Sequence, residues 1–503
     1  MLGRRLALLG LGLLVCCSLS AGDDSSQTCS SGESGRCLSS PFQQLLHADV
    51  WRESLGWTSS KLATAESLGV RGVVAADSFK ANEPVVRQPF NTVINGNSMM
   101  WRSPFPTIVS QKFWSKTDSV RKVVCRLAVE MEKGNSSNWA GYIAHLPTQF
   151  DTLGHWSENE LKELQDERLA YEATYGGREA DVAYDGLVET TPNTTITRDT
   201  WRWAWTVVAS RSFSFTYVGG LSSSVLIVII LSAGGLYLLL RWNAPTVAWW
   251  ILNGTIAAAV LNKTWGVLSE SWVDSVAILP VMDDFNHATH PNLLLEYKAS
   301  AGSLLMVAGH DGIQGGDQVF ISYGNNTNDH FLMVYGFTIP NNPIEKYKLL
   351  NLNEKLLKYA DVSPARLKYV NNTELTRKLK EVSVESRGFK TSDIQAVAQL
   401  IGSDISFFEG EDAVWKDASL EAQVLKALVS IVEDEIRTWP NGLEEDDRLL
   451  AEESVGKSDR WALAVQYRRR RKAVLLDCLS MAQKGAAGAQ AKVDEKSKQD
   501  KKS

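Results

Sequence analysis

Apolar residues are distributed along the chain in several distinct patterns. An uncharged apolar run, Leu6 to Cys17, follows Arg4 and Arg5 and precedes the small residues Ser18, Ser20 and Ala21. A basic flank, a short apolar core and a small-residue exit form the layout of a targeting signal, and the run is shorter than the roughly 20 residues a bilayer crossing needs. Globular patterning begins at Leu45. The β-branched stretch Leu68-Gly-Val-Arg-Gly-Val-Val-Ala-Ala76 and the proline-bounded Glu83-Pro-Val-Val-Arg-Gln-Pro89 predict two short strands with a glycine turn. Helical spacing follows. Val120, Val123, Val124, Leu127 and Met131 predict a helix over 118–131, and Leu161, Leu164 and Leu169 predict another over 158–171. Ser157 followed by Glu160 reads as a capping box opening the second.

The next pattern is purely hydrophobic. No charge occurs from Ser212 to Leu240, and after Arg241 none occurs from Trp242 to Asn262. The first run, with Val225 to Leu231 and Leu236 to Leu240 at its heart, is long enough to span a bilayer. The second is weaker, with Asn253 and Gly254 in its middle. Two readings stay open: a membrane hairpin over 221–240 and 246–261, or a pair of buried helices or a misjoined stretch of coding sequence.

Composition narrows the class. With 503 residues the chain is long enough for about three structural units at roughly 150 residues each. Hydrophobic residues at 44% and charged residues at 22% support a sizeable core. The balance of 52 basic and 58 acidic side chains, a net charge of −6, supplies no global field for nucleic acid. Six cysteines without a Cys-x-x-Cys spacing exclude a cysteine zinc site, and His287 with His290 finds no third ligand, so no metal is predicted. The basic run Arg468 to Lys472 lies between apolar stretches of one continuing helix and reads as its solvated face. Residues 483–503, rich in Lys, Ala and Gln, read as a disordered tail.

The chemistry-bearing motifs cluster after the hydrophobic insert. Val276 to Pro280 is an apolar strand that leads into Asp283-Asp-Phe-Asn-His287, and Gly316-Asp-Gln-Val-Phe-Ile-Ser-Tyr-Gly324 is a second strand, followed by Asn328 and Tyr335-Gly-Phe337 with Asn342-Pro343. Together with Arg71-Gly-Val-Val-Ala75, Trp203 to Phe213, and the stretch Leu146 to Thr152 with Trp156-Ser-Glu158, this order resembles the SET-domain methyltransferases, in the branch typified by the Rubisco large-subunit lysine methyltransferase.

The resemblance implies an α+β chain: a β-rich SET fold over 45–343, holding a helical insert at about 100–213 and the hydrophobic insert at about 214–269. An all-α, substrate-binding-like domain at 344–482 follows; a signal at 1–21 and a flexible linker at 22–44 precede. It implies S-adenosyl-L-methionine as cofactor, contacted by Gly72, Arg211, Asn286, His287 and Phe337, with Tyr323 catalytic and Ser210, Asp283 and Tyr335 beside the substrate lysine. The implied activity is methylation of lysine on a protein substrate. Histidine as acceptor, or an inactive membrane-associated scaffold, are the alternatives. Asn82 stands where a glycine is common in the branch, and the hydrophobic insert separates Arg211 from Asn286. Two crossings return the chain to the side it left, so the expectation is a SET domain anchored to a membrane, reached by a secretory or plastid route.

Overall fold

The structure, a computed structural model, describes residues 57–67, 70–89, 92–96, 108–216, 274–298, 303–360, 374–401, 408–409, 414–415, 417–452 and 458–500. The targeting segment, the linker and the hydrophobic hairpin expected from the sequence lie outside the described residues. Among the described residues, no helix is long and apolar enough to cross a membrane. The chain divides into two units, with boundaries at Phe150/Asp151, Gly177/Arg178 and Gly324/Asn325.

The strands of the first unit are β1 (Trp57–Thr58), β2 (Leu62–Ser67), β3 (Val70–Ala75), β4 (Pro84–Pro89), β5 (Ile94–Asn95), β6 (Ser212–Thr216), β7 (Asp274–Ile278), β8 (Asn286–His287), β9 (Leu293–Lys298), β10 (Ser303–Ala308) and β11 (Phe320–Ile321). They form small sheets: β1-β4-β10-β9, β5-β7-β6, the hairpin β2-β3 and the parallel pair β11-β8. The two strands expected near 68–89 are β3 and β4, but they join different sheets. The turn between them carries Asn82 at φ 59°, the left-handed conformation that asparagine tolerates. β10 is buried at every position because it lies between β4 and β9. The helix Ser119–Glu132 buries Val123, Val124 and Leu127, and its first turn is capped by the Asp118 carboxylate, which accepts the Arg121 N–H at 2.8 Å. The helix Arg198–Arg211 is capped by Thr197, buries Trp201, Ala204, Val207 and Val208, and runs straight into β6.

In the second unit the capping box forms as expected: Ser157 N–H donates to Glu160 Oε2 at 2.7 Å, and Glu160 N–H donates to Ser157 Oγ at 3.3 Å. The helix it opens is short. Glu158–Glu163 ends before Gln165, whose φ of 51° breaks the ladder, and a new helix runs from Glu167 to Thr190, so 158–171 is two helices. Leu161, Leu164 and Leu169 are buried in one cluster with Leu153, Trp156, Leu332 and Tyr467; the chain bends to bring them there.

The C-terminal part departs from the expected all-α domain. β12 (Tyr347–Leu350) pairs antiparallel with β13 (Glu381–Val384), and Phe408–Glu409 pairs with Val414–Trp415. Tyr347, Leu349, Val382 and Val384 alternate inward with period two and join a core with Leu352, Leu356, Leu428 and Ile431. Residues 483–500, expected to be disordered, continue the helix Asp459–Asp500. Ala482, Ala486 and Ala489 are buried, Lys492 pairs with Glu421 of the helix Ala418–Arg437 at 3.0 Å, and Ala, Lys, Gln and Glu are good helix formers.

The basic run is likewise not a solvated face. Arg468, Arg471 and Lys472 are all buried. The fully buried Asp446 carboxylate accepts from Arg468 Nε at 2.8 Å and Lys472 Nζ at 2.7 Å, while Arg471 lies over the Tyr347 ring at 4.2 Å. The acidic run Glu444 to Asp447 supplies the counter-charge.

Candidate active site

In the first unit, the segment Asp317 to Ile321 links the two strands that carry the glycine and Asn-His motifs. On one side it runs along β3: Val319 N–H donates to the Val73 carbonyl at 2.8 Å, and Ala75 N–H to the Asp317 carbonyl at 2.9 Å. On the other, β11 pairs in parallel with β8, placing Phe320 beside Asn286 and Ile321 beside His287. Asn292 fixes the middle of the segment, donating Nδ2–H to the Gln318 carbonyl at 2.9 Å and accepting the Phe320 N–H at 2.8 Å. Gly72 faces this junction. A Cβ there would lie 2.0 Å from Gln318 Nε2 and 2.8 Å from Asn286 Nδ2, so only glycine permits the approach.

Tyr323 is fully buried. Its N–H donates to His287 Nδ1 at 3.0 Å, its hydroxyl donates to the Phe285 carbonyl at 2.9 Å, and the two rings are 4.9 Å apart. A backbone N–H can only donate, so Nδ1 must carry a lone pair and the imidazole is neutral with its proton on Nε2. Burial lowers the His287 pKa to about 4, against the opposing pull of the Ile321 carbonyl.

Just upstream, Arg211 arrives at the end of its helix and donates Nη1–H to Asp283 Oδ2 and Asp284 Oδ1, both at 3.0 Å. Tyr142 donates its hydroxyl to the same Asp283 oxygen at 2.6 Å. Asp283 is completely buried. Burial, with the charge of Asp284, raises its pKa to about 6, while Arg211 and Tyr142 act in the opposite sense. Val281, two residues before, sits at φ 73° and ψ −45°, a strained conformation for a β-branched residue. Ser210 bonds back to its own helix, donating to the Thr206 carbonyl at 2.8 Å.

The remaining predicted residues belong to the second unit. Asn328 is buried and clamps the chain at Ile339, donating to its carbonyl at 2.9 Å and accepting its N–H at 2.8 Å. The helix Asn328–Tyr335 ends on Gly336 at φ 77°, where a Cβ would lie 2.5 Å from the Asp151 carbonyl carbon. Beyond it Phe337 packs 5.0 Å from Phe331 and 6.1 Å from Tyr335. Burial raises the Tyr335 pKa, so its hydroxyl stays protonated.

Gly72, Asn286, His287 and Tyr323 thus share one neighbourhood, and Arg211 and Asp283 are bound to each other. Sequence reasoning missed Gln318, Asn292, Tyr142 and Asp284. Gln318 lay inside a quoted motif, whereas Tyr142 reaches Asp283 across 141 positions and gives no local signal.

Short sheets around an Asn-His strand and a largely helical C-terminal region make a mixed, SET-like fold. The structure is similar to the SET domain of the Rubisco large-subunit methyltransferase (LSMT) bound to lysine and AdoHcy, with a TM-score of 0.59, 18% identity, and coverage of 89% of this chain and 91% of that one. It is equally similar to Rubisco LSMT bound to AdoMet, at a TM-score of 0.59 and 17% identity over 90% of this chain and 93% of that one. At these identities the likeness establishes the fold. In sequence, the ribosomal lysine N-methyltransferase set10 of Schizosaccharomyces pombe is 25% identical over 225 residues, 44% of this chain. The match spans about a third of that relative, 32% of its length. No family model matches the chain.

Proposed function

We propose that this chain is a protein-lysine methyltransferase using S-adenosyl-L-methionine. The observation that carries the reading is the junction at Asp317–Ile321, which gathers Gly72, Asn286, His287 and Tyr323 in one place. The residues fit the cofactor: the primary amides of Gln318 and Asn286, brought together against Gly72, offer donors and acceptors to an amino-acid group. Relatives of the same fold hold AdoMet, AdoHcy and lysine, and the set10 relative is a ribosomal lysine methyltransferase, which supports lysine on a protein as the acceptor.

When bound, the cofactor supplies an electrophilic methyl group on a sulfonium. The protein's part is alignment, a contribution of roughly 7–11 kcal/mol at best. Tyr323, with its hydroxyl held by the Phe285 carbonyl, orients the acceptor amine. Asn286 and His287 hold the cofactor. Arg211 and Asp283 act in this reading by fixing the strand entry to Asn286. Direct ligand contacts by them, or by Ser210, require these side chains to leave their present partners.

The test is methyl transfer from labelled S-adenosyl-L-methionine to ribosomal or other lysine-bearing protein. Tyr323→Phe is expected to lower kcat roughly a hundredfold, the usual cost of removing one oriented polar group from a reacting centre. Transfer unaffected by Tyr323→Phe overturns its catalytic role; no transfer by the wild-type chain, with the label bound, favours a scaffold. Labelled histidine in the product would favour the histidine alternative. The uncharged stretches 221–240 and 246–261 favour membrane anchoring by a hairpin; glycosylation acceptors placing Arg211 and Asn286 on opposite sides of a bilayer would refute it.

A further inference from the structure

Gln318 sits at the centre of the segment that joins the Gly72 and Asn286 strands. Its backbone is fixed on every side: it forms an antiparallel bridge with Val74, its carbonyl accepts from Asn292, and the residues before and after it bond to Ala75 and Val73. Its Nε2 lies against the bare face of Gly72, where Asn286 Nδ2 also arrives.

We propose that Gln318 is a further cofactor-binding residue, whose carboxamide donates N–H, together with Asn286 across Gly72, to the carboxylate at the amino-acid end of S-adenosyl-L-methionine. The inference rests on the methyltransferase reading and adds a residue to it. Each primary amide offers two N–H donors, and a carboxylate accepts through both oxygens with bonds stronger than neutral ones. Neutral donors suit this ligand. A lysine or arginine at position 318 would bind the carboxylate equally well, but would add a positive charge beside a sulfonium and an ammonium. The missing Cβ at Gly72 lets both amides come against the same stretch of backbone.

The test is calorimetric titration of the full chain with S-adenosyl-L-homocysteine and, separately, with 5′-methylthioadenosine, which keeps the nucleoside and thioether but has no carboxylate. Gln318→Ala is expected to weaken the first by about tenfold and leave the second within about twofold, as for loss of one hydrogen bond to a charged group. Gln318→Glu, which sets like charge against the carboxylate, is expected to weaken the first further. Unchanged melting temperatures would confirm that both variants fold. Equal losses for the two ligands, no loss for either, or full affinity in Gln318→Glu would overturn the proposal and leave the methyltransferase reading standing. Failure of the wild-type chain to bind either ligand would instead bring down that reading, and this inference with it.

Discussion

His287 keeps a neutral imidazole because its Nδ1 must accept the Tyr323 N–H in a buried setting. Protonation would convert that acceptor into a donor facing a donor. The folded-state pKa, lowered from 6.5 to about 4, means that the unfolded chain binds the extra proton first as pH falls. The stability His287 contributes is full above pH 6.5 and is lost as pH falls towards 4. Asp283 acts with the opposite sign: raised from 3.8 to about 6, it costs the fold stability as pH rises through that window. The wild-type pH curve is therefore a sum, and a difference curve separates the two. In urea titrations between pH 7.5 and pH 4.5, His287→Asn, which retains an acceptor but does not titrate, should lose less stability on acidification than the wild type. Parallel curves would show that His287 does not set the acid slope.

At the scale of elements, the long helix Asp459–Asp500 shows why some of the fold was legible and some was not. β3, β4 and the helix Ser119–Glu132 could be read because their apolar positions repeat locally, and the Ser157 capping box because its two partners are three residues apart. The helix break at Gln165 could not, since a left-handed glutamine is imposed by the burial of leucines on both sides of it. Residues 483–500 are compositionally ambiguous: Ala, Lys and Gln serve disorder and helix equally until a partner is known, and that partner, the helix Ala418–Arg437, lies far away in sequence. The site divides likewise. Asn286, His287 and Tyr323 stood out by motif, whereas the Arg211–Asp283–Tyr142 cluster depends on pairings across the whole unit. Deleting residues 484–503 should therefore cost stability. Exposing Ala486 and Ala489 and losing Lys492–Glu421 amounts to about 2 kcal/mol, read as a lowered urea midpoint, whereas a disordered tail would be removable within about 0.5 kcal/mol.

Against a near-balance of 52 basic and 58 acidic residues over the whole chain, several ion pairs among the described residues are buried. Arg126 with Glu130, Arg211 with Asp283 and Asp284, Arg168 with Asp166 and Asp329, and Arg468 and Lys472 with Asp446 all lie away from solvent. Such pairs add little net stability over apolar packing, but breaking one strands a charge in a medium that cannot solvate it. Asp446 is the sharpest case, one fully buried carboxylate between two buried cations. Asp446→Ala should destabilise the unit that contains it by about 3–5 kcal/mol, far beyond the effect of breaking the exposed Arg448–Glu452 pair. If the cost is the stranded cation rather than lost attraction, adding Lys472→Met to Asp446→Ala should restore part of the loss, a coupling that a double-mutant cycle in urea measures directly. Simple additivity of the two substitutions would mean that Lys472 finds water or another partner once Asp446 is gone, and that burial of the pair does not make it obligatory.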